Sequence, residues 1–185
     1  FVIGKTNERV QALRSRFDVA AGSLELRREG DAAWESFQVH HDKIRLDRFL
    51  SDHFGKRVQL VQDRTGRFLD MPGTSGATVV STASLEAVAS WFPGMDPAQS
   101  RRRFRATLEL AGVPAFWEDR LFEPSEEGVS FSIGEVRFVG ISARARCVVP
   151  TRHPETGETT RMFPRTFATR RSATLPEGSK VAELP

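Results

Sequence analysis

The chain has 185 residues, with a hydrophobic fraction of 39%, 14 Phe and 3 Trp. That is enough apolar volume for one ordinary domain, or a domain plus part of another. Its formal net charge is only +3, although the pI is about 9.6, so positive charge matters where arginines cluster rather than over the whole chain. No apolar run approaches the roughly 18–20 residues of a membrane span, which leads us to expect a soluble protein with no membrane partner. One cysteine excludes an internal disulfide and fits a reducing compartment, the cytoplasm. The sequence starts at Phe1, and nothing ahead of Lys5 reads as a signal peptide, so a fragment with its true start upstream is expected.

Taken in chain order, residues 13–28 hold two β-like stretches, LRSRF and SLELRR, separated by AAG. A third, ESFQVH, follows the charged turn EGDAAW. In KIRLDRFLSDHFG, Leu46, Phe49, Leu50 and Phe54 fall at helical spacing, and Gly55 is placed to stop the helix. RVQLVQ has the composition of a strand, and DRTGRFLDMPGTSG is rich in turn residues. ATVVS at 77–81 predicts a strand, and ASLEAVASWF a helix that Pro93 and Gly94 terminate. Asp96–Pro97 predicts an N-cap with proline at the first helical position. Phe104, Ala106, Leu108 and Leu110 alternate with polar residues, as in a half-buried strand. So do Val129, Phe131 and Ile133, and then Val136, Phe138 and Gly140. The tail carries scattered Arg, Thr and Pro with weaker periodicity, and LPEGSKVAELP predicts a last short strand. Short strands at regular spacing with a few helices predict a β-rich barrel decorated by helices.

Chemistry centres on Cys147, inside ARARCVVPTRHPETGE at 143–158. Neighbouring guanidinium groups can stabilise a thiolate, making a nucleophile or a soft metal ligand. In a strand, however, Arg146 points away from Cys147, and Ala145 shares its face. A buried structural cysteine and a chemical one both stay open on this pattern. His40, His41, His53 and His153 lack the paired Cys/His spacing of a zinc site. A Cys147–His153 pair of protease type has no supporting signature. Glu118 and Asp119 in FWEDRLF are adjacent, a spacing that suits arginine pairing or capping better than shared acid–base work.

The run RRRFR at 101–105 would put Arg103 and Arg105 on one face of a strand, two guanidiniums aimed together at an anion. Nucleic acid binding by counterion release is a minor alternative, because no aromatic platform accompanies the run. The Thr74–Ser75 hydroxyls and their backbone can also bind an anion, although the loop has no P-loop lysine.

In order, TSGATVVSTASLEAV, RRFRATLELAG, AFWEDRLF, IGEVRFVG and ARCVVPTRHPETGE resemble the motifs of the MOSC family, the molybdenum cofactor sulfurase C-terminal domain proteins. The family pattern has an R-F-R-P-N strand, a W/E/D-containing turn, an I-G-x-V strand, and x-R-C followed by a D-P-x-T-G loop. The resemblance is to amidoxime-reducing members and their bacterial relatives. It implies a mainly β protein, a β-barrel of MOSC type with a few short helices. Residues 71–185 would form that barrel, and residues 1–70 would be the C-terminal part of an N-terminal associated β-barrel region. It also implies a pyranopterin molybdenum cofactor, with Cys147 as catalytic residue and metal ligand. Arg105 would bind the cofactor phosphate, Thr74, Ser75 and Thr107 would lie at the cofactor, and Arg103, on the same R-F-R strand, would be a further cofactor-binding residue. Pyridoxal phosphate binding is a further family-level implication.

Departures are visible. The family's P-N pair is Ala106–Thr107, the small polar residue two before the cysteine is Ala145, and the loop Asp is His153. A family lysine and arginine would lie upstream of Phe1. The expected activity is reduction of N-hydroxylated small molecules, with electrons from a partner protein, since no flavin or iron–sulfur motif is present. The alternative is a non-catalytic carrier of sulfur or cofactor, fed by a sulfur donor.

Overall fold

The computed structural model describes residues 2–62, 76–123, 128–143 and 147–175. Two units result: Phe1–Ser75 with Arg152–Thr159, and Gly76–Thr151 with Thr160–Pro185.

In the first unit, three strands form an antiparallel meander: β1 (Leu13–Asp18), β2 (Ser23–Arg28) and β3 (Glu35–Gln38). The register pairs Leu24 with Phe17 on one side and Phe37 on the other, so their side chains share a face. Helix α1 (Lys43–Phe54) lays Leu46, Phe49 and Leu50 against Leu26 and Phe37, and these five are the buried core. Phe37 and Phe49 meet edge to face at 5.5 Å. Gly55 adopts φ 64 and its N–H caps the Ser51 carbonyl, ending the helix where a residue with free access to the left-handed region is needed.

RVQLVQ, expected as a strand, joins no ladder among the described residues. The Val58 N–H donates to Ser51 Oγ at 2.9 Å, and the Leu60 N–H to Asp47 Oδ1 at 2.8 Å. Side chains of α1 therefore take the groups a ladder would have used. The hydrogen bond from Lys43, and after it the one from the Leu60 N–H, hold the Asp47 carboxyl below its ordinary range.

In the second unit, β4 (Val79–Ser81) pairs in parallel with β5 (Leu108–Leu110), and α2 (Thr82–Ser90) and α3 (Pro97–Phe104) lie between them in sequence. Ser81 caps α2 by accepting from the Ser84 N–H at 3.0 Å. A hairpin follows, β6 (Val129–Ile133) and β7 (Val136–Gly140), stacked through Phe131 and Phe138. At Gly140 a Cβ would fall on the Leu121 carbonyl, so only glycine permits that approach. Helix α4 (Phe163–Ser172) completes the unit. Its Phe163 joins Val88 and Phe92 in the core, with Phe104, Phe116 and Phe167 packed around them.

The expected mainly β barrel is corrected by this architecture, which is mixed α/β. Helix makes up 32% and strand 22%, the sheets have two or three strands, and among the described residues none closes on itself. Two segments account for the difference. RRRF is helical, because Asp96 and Pro97 start α3: Asp96 Oδ1 accepts from the Gln99 N–H at 2.6 Å. The alternation from Phe104 to Leu110 is therefore cut short, leaving a three-residue strand. The tail holds α4, where Phe163, Phe167 and Arg171 recur every fourth residue, a spacing that suits a helix. The expected strand in LPEGSKVAELP lies outside the described residues except for Leu175. Asp96→Ala is expected to lower the stability of this unit by about 1 kcal/mol, read as a lower urea midpoint with an unchanged slope.

Candidate functional site: the Cys147 turn

Cys147 is exposed. The residues after Val148 are not: Val149, Pro150 and Thr151 form a buried 3-10 turn. The thiol thus sits at the rim of a packed segment and is not a core hydrophobe. Within the turn, the Thr151 N–H donates to the Val148 carbonyl at 3.0 Å, and Thr151 Oγ1 donates to the same oxygen at 2.6 Å. The Val149 N–H points at Cys147 Sγ, 3.5 Å away.

Arg103 reaches this turn from α3. The helical run that overrides the expected strand places Arg103 one turn after Ser100, and both are buried. Its Nη1 donates to the Pro150 carbonyl at 2.9 Å, and Nη2 to Thr160 Oγ1 at 3.4 Å. The Thr160 N–H in turn donates to the Thr151 carbonyl at 2.8 Å. Arg103 is 5% exposed, and among the described residues neither its Nε nor Ser100 Oγ has a hydrogen-bond partner. No carboxylate pairs with it among those residues, and burial lowers the pKa of the guanidinium.

The other expected contacts are dispersed. Arg105 does not share a strand face with Arg103. It ends α3 in the left-handed region at φ 50, with its backbone N–H on the Arg101 carbonyl and an exposed side chain. Among the described residues that side chain makes no ion pair or hydrogen bond. Thr107 is exposed, but its hydroxyl lies 3.3 Å from Thr78 Oγ1 and accepts from the Thr78 N–H, fastening the entry to the β4–β5 pair. Thr74, Ser75, Arg144, Ala145 and Arg146 lie outside the described residues. Arg101 of the same run binds Glu109 through two nitrogens and holds its carboxyl below the ordinary range. Of this run, then, Arg103 is buried and Arg101 is paired with a carboxylate.

His153 closes its own loop in the first unit: its Nδ1 accepts from the Glu155 and Thr156 N–H groups, each at 3.3 Å. His40 and His41 lie in the turn between β3 and α1. Asp119 is gripped by Arg171 at 2.5 Å through both carboxylate oxygens, the arginine pairing expected for this motif rather than an acid–base couple. Among the described residues no three His, Cys, Asp or Glu side chains gather to hold a metal ion. No helix among them is long and apolar enough to cross a membrane. An open depression in the first unit, lined by His41, Asp42, Ile44, Arg45 and Arg48, contains none of the expected site residues.

Sequence reasoning misses the role of Arg103 and its partners Pro150 and Thr160. The one local signal is the spacing of Ser100 and Arg103, which on a helix marks a shared face. No protein-family model and no curated protein matches the chain.

Proposed function

We propose that this chain binds the pyranopterin molybdenum cofactor through Cys147 and reduces N-hydroxylated small molecules. The observation that carries the proposal is an exposed thiol beside a buried, hydrogen-bonded turn. An ordinary free cysteine is among the most buried residue types. One held at the surface by a packed turn suits ligation, because a thiolate is a good donor to a soft metal centre and a fixed turn orients it. The order of the five sequence motifs adds support.

The fit to the cofactor is uneven. Cys147 is available as a ligand, and the exposed Arg105 side chain, unpaired among the described residues, is available to a phosphate. Thr107 offers only a hydroxyl that Thr78 already engages. Arg103 does not fit a phosphate contact, since its guanidinium is buried and committed to Pro150 and Thr160. When bound, the cofactor supplies the two-electron chemistry that removes the N-bound oxygen. The chain's residues hold and orient it, Cys147 at the metal and Arg105 at the anionic end. Electrons come from a donor outside these 185 residues, whose one cysteine cannot hold an iron–sulfur cluster.

A carrier of sulfur or cofactor is the second reading, favoured by the internal commitment of Arg103 and Thr107, which leaves few side chains to grip the cofactor firmly. Purification from a host that makes the cofactor, followed by assay of molybdenum and pterin, tests both. Stoichiometric metal with amidoxime reduction, given an electron donor, is the expected result. Metal without reduction favours the carrier, and absence of both metal and pterin rejects cofactor binding.

A further inference from the structure

We infer that helix α4 presents a docking surface for the phosphate backbone of duplex DNA, with Arg161, Arg165 and Arg170 as the contacts. This surface is separate from the RRRFR run and does not depend on Cys147. From Thr159 to Leu175 the sequence, TTRMFPRTFATRRSATL, carries four arginines and no acidic residue. Arg171 turns inward to Asp119, and the other three are exposed. Phe163, Phe167 and Arg171 mark the side of the helix that packs into the unit. Arg165, Thr169 and Ser172, spaced i, i+4 and i+7, therefore share the opposite stripe. Arg161 lies one turn earlier, and Arg170 borders the stripe.

What sets this face apart from an ordinary solvated one is its lack of counter-charge. On α1 and α3, carboxylates meet basic side chains: Lys43 pairs with Asp47, Arg45 with Asp42, and Arg101 with Glu109. Arg161, Arg165 and Arg170 have no carboxylate or other hydrogen-bond partner among the described residues. Helix stability does not account for the placement either. Arg161 and Arg165 flank the first turn of α4, where a cation opposes the macrodipole, and that turn holds no acidic residue.

The chemistry of the face selects the partner. Guanidinium groups grip phosphate oxygens in pairs, and the Thr169 hydroxyl adds a donor of the kind that holds a nucleic-acid backbone. A helix of this length runs about 15 Å, the rise of about four base pairs. Membrane binding needs an apolar side to insert, and the aromatic side of α4 is packed against Phe92 and Phe104. A protein partner is met by an apolar centre, whereas this stripe is arginine and hydroxyl. A single strand needs open aromatic rings, which the stripe lacks. Of the duplexes, DNA has a major groove about 12 Å wide that admits a helix, and RNA does not.

Fluorescence anisotropy tests this, with a short labelled DNA duplex titrated with the full chain over a range of salt. Three phosphate contacts give a slope of about −3 in log K against log salt, and a Kd of about 10⁻⁴ to 10⁻⁶ M at physiological salt. Arg161→Gln, Arg165→Gln and Arg170→Gln are each expected to reduce that slope by about 1. The triple variant is expected to lose binding with an unchanged circular dichroism spectrum. Arg137→Gln removes an exposed arginine from β7 of the same unit and is expected to change neither slope nor affinity. Equal losses from Arg137→Gln and the α4 variants overturn the inference, because binding then follows net charge alone. Tighter binding to phosphatidylserine vesicles, polyglutamate or a matched RNA duplex overturns it too, assigning the face to a membrane, an acidic protein or RNA. Should the triple variant not fold, the single variants decide, and slopes equal to wild type reject the contact.

Discussion

Cys147→Ala is expected to reduce the molybdenum and pterin of the purified protein to background while leaving its fold intact. The two halves of that result have separate causes. Cys147 is exposed, and its sulfur accepts one long hydrogen bond, so truncation removes little packing. Surface substitutions of this kind usually change stability by less than about 0.5 kcal/mol. Loss of the thiolate, by contrast, removes the only cysteine sulfur the chain can offer the metal. Cys147→Ser separates ligation from shape: it keeps the volume but supplies a hard oxygen, and metal content near background is again expected. Metal analysis against protein concentration, with circular dichroism on the same samples, is the check. Undiminished metal in the alanine variant removes Cys147 from the ligand set and takes the proposed activity with it.

Elements that depend on local periodicity are legible in the amino-acid sequence. The β1–β2–β3 meander, α1 with its Gly55 stop, α2 and the β6–β7 hairpin all follow hydrophobic spacing set by residues a few positions apart. RFRATLEL is harder, because Phe104, Ala106, Leu108 and Leu110 alternate as a strand does. What decides it is Asp96–Pro97 upstream, which commits RRRF to a helix and leaves Arg105 to turn the chain. Both signals are present, and the cap prevails because it satisfies backbone donors that an unpaired strand would leave open.

The candidate site is less legible because its geometry is non-local. Strand alternation has no bearing on the exposure of Cys147, which lies outside any strand, so the faces of Ala145 and Arg146 say nothing about the thiol. The arginine that reaches the turn after it, Arg103, donates to a carbonyl 47 residues away. An arginine aimed at a backbone oxygen leaves no pairing in the sequence, whereas one aimed at a carboxylate at least suggests a partner. Exposure of the thiol and burial of the guanidinium both emerge only when α3 is set against the Val149–Thr151 turn.

Asp119→Ala is expected to destabilise the second unit by about 3–5 kcal/mol. Arg171 is 9% exposed, and its guanidinium lies over the Phe116 ring at 4.5 Å. Both Asp119 oxygens receive it at 2.5 Å, and Thr174 Oγ1 takes a further donor at 2.8 Å. Removing the carboxylate leaves a cation over the Phe116 ring with the Thr174 hydroxyl as its side-chain acceptor, too little to offset its lost hydration. The same pair, exchanged together for apolar residues, need not be costly, because the ions contribute little beyond repaying their own desolvation. Asp119→Leu combined with Arg171→Met is therefore expected to recover most of what the alanine loses. Urea unfolding of the single and double variants measures this as a non-additive cycle. A single variant within about 1 kcal/mol of wild type, the surface-pair range, means that the arginine finds water or another acceptor. Asp119→Asn adds the functional control: molybdenum per folded molecule should match wild type, because this carboxylate anchors α4 and is not a ligand.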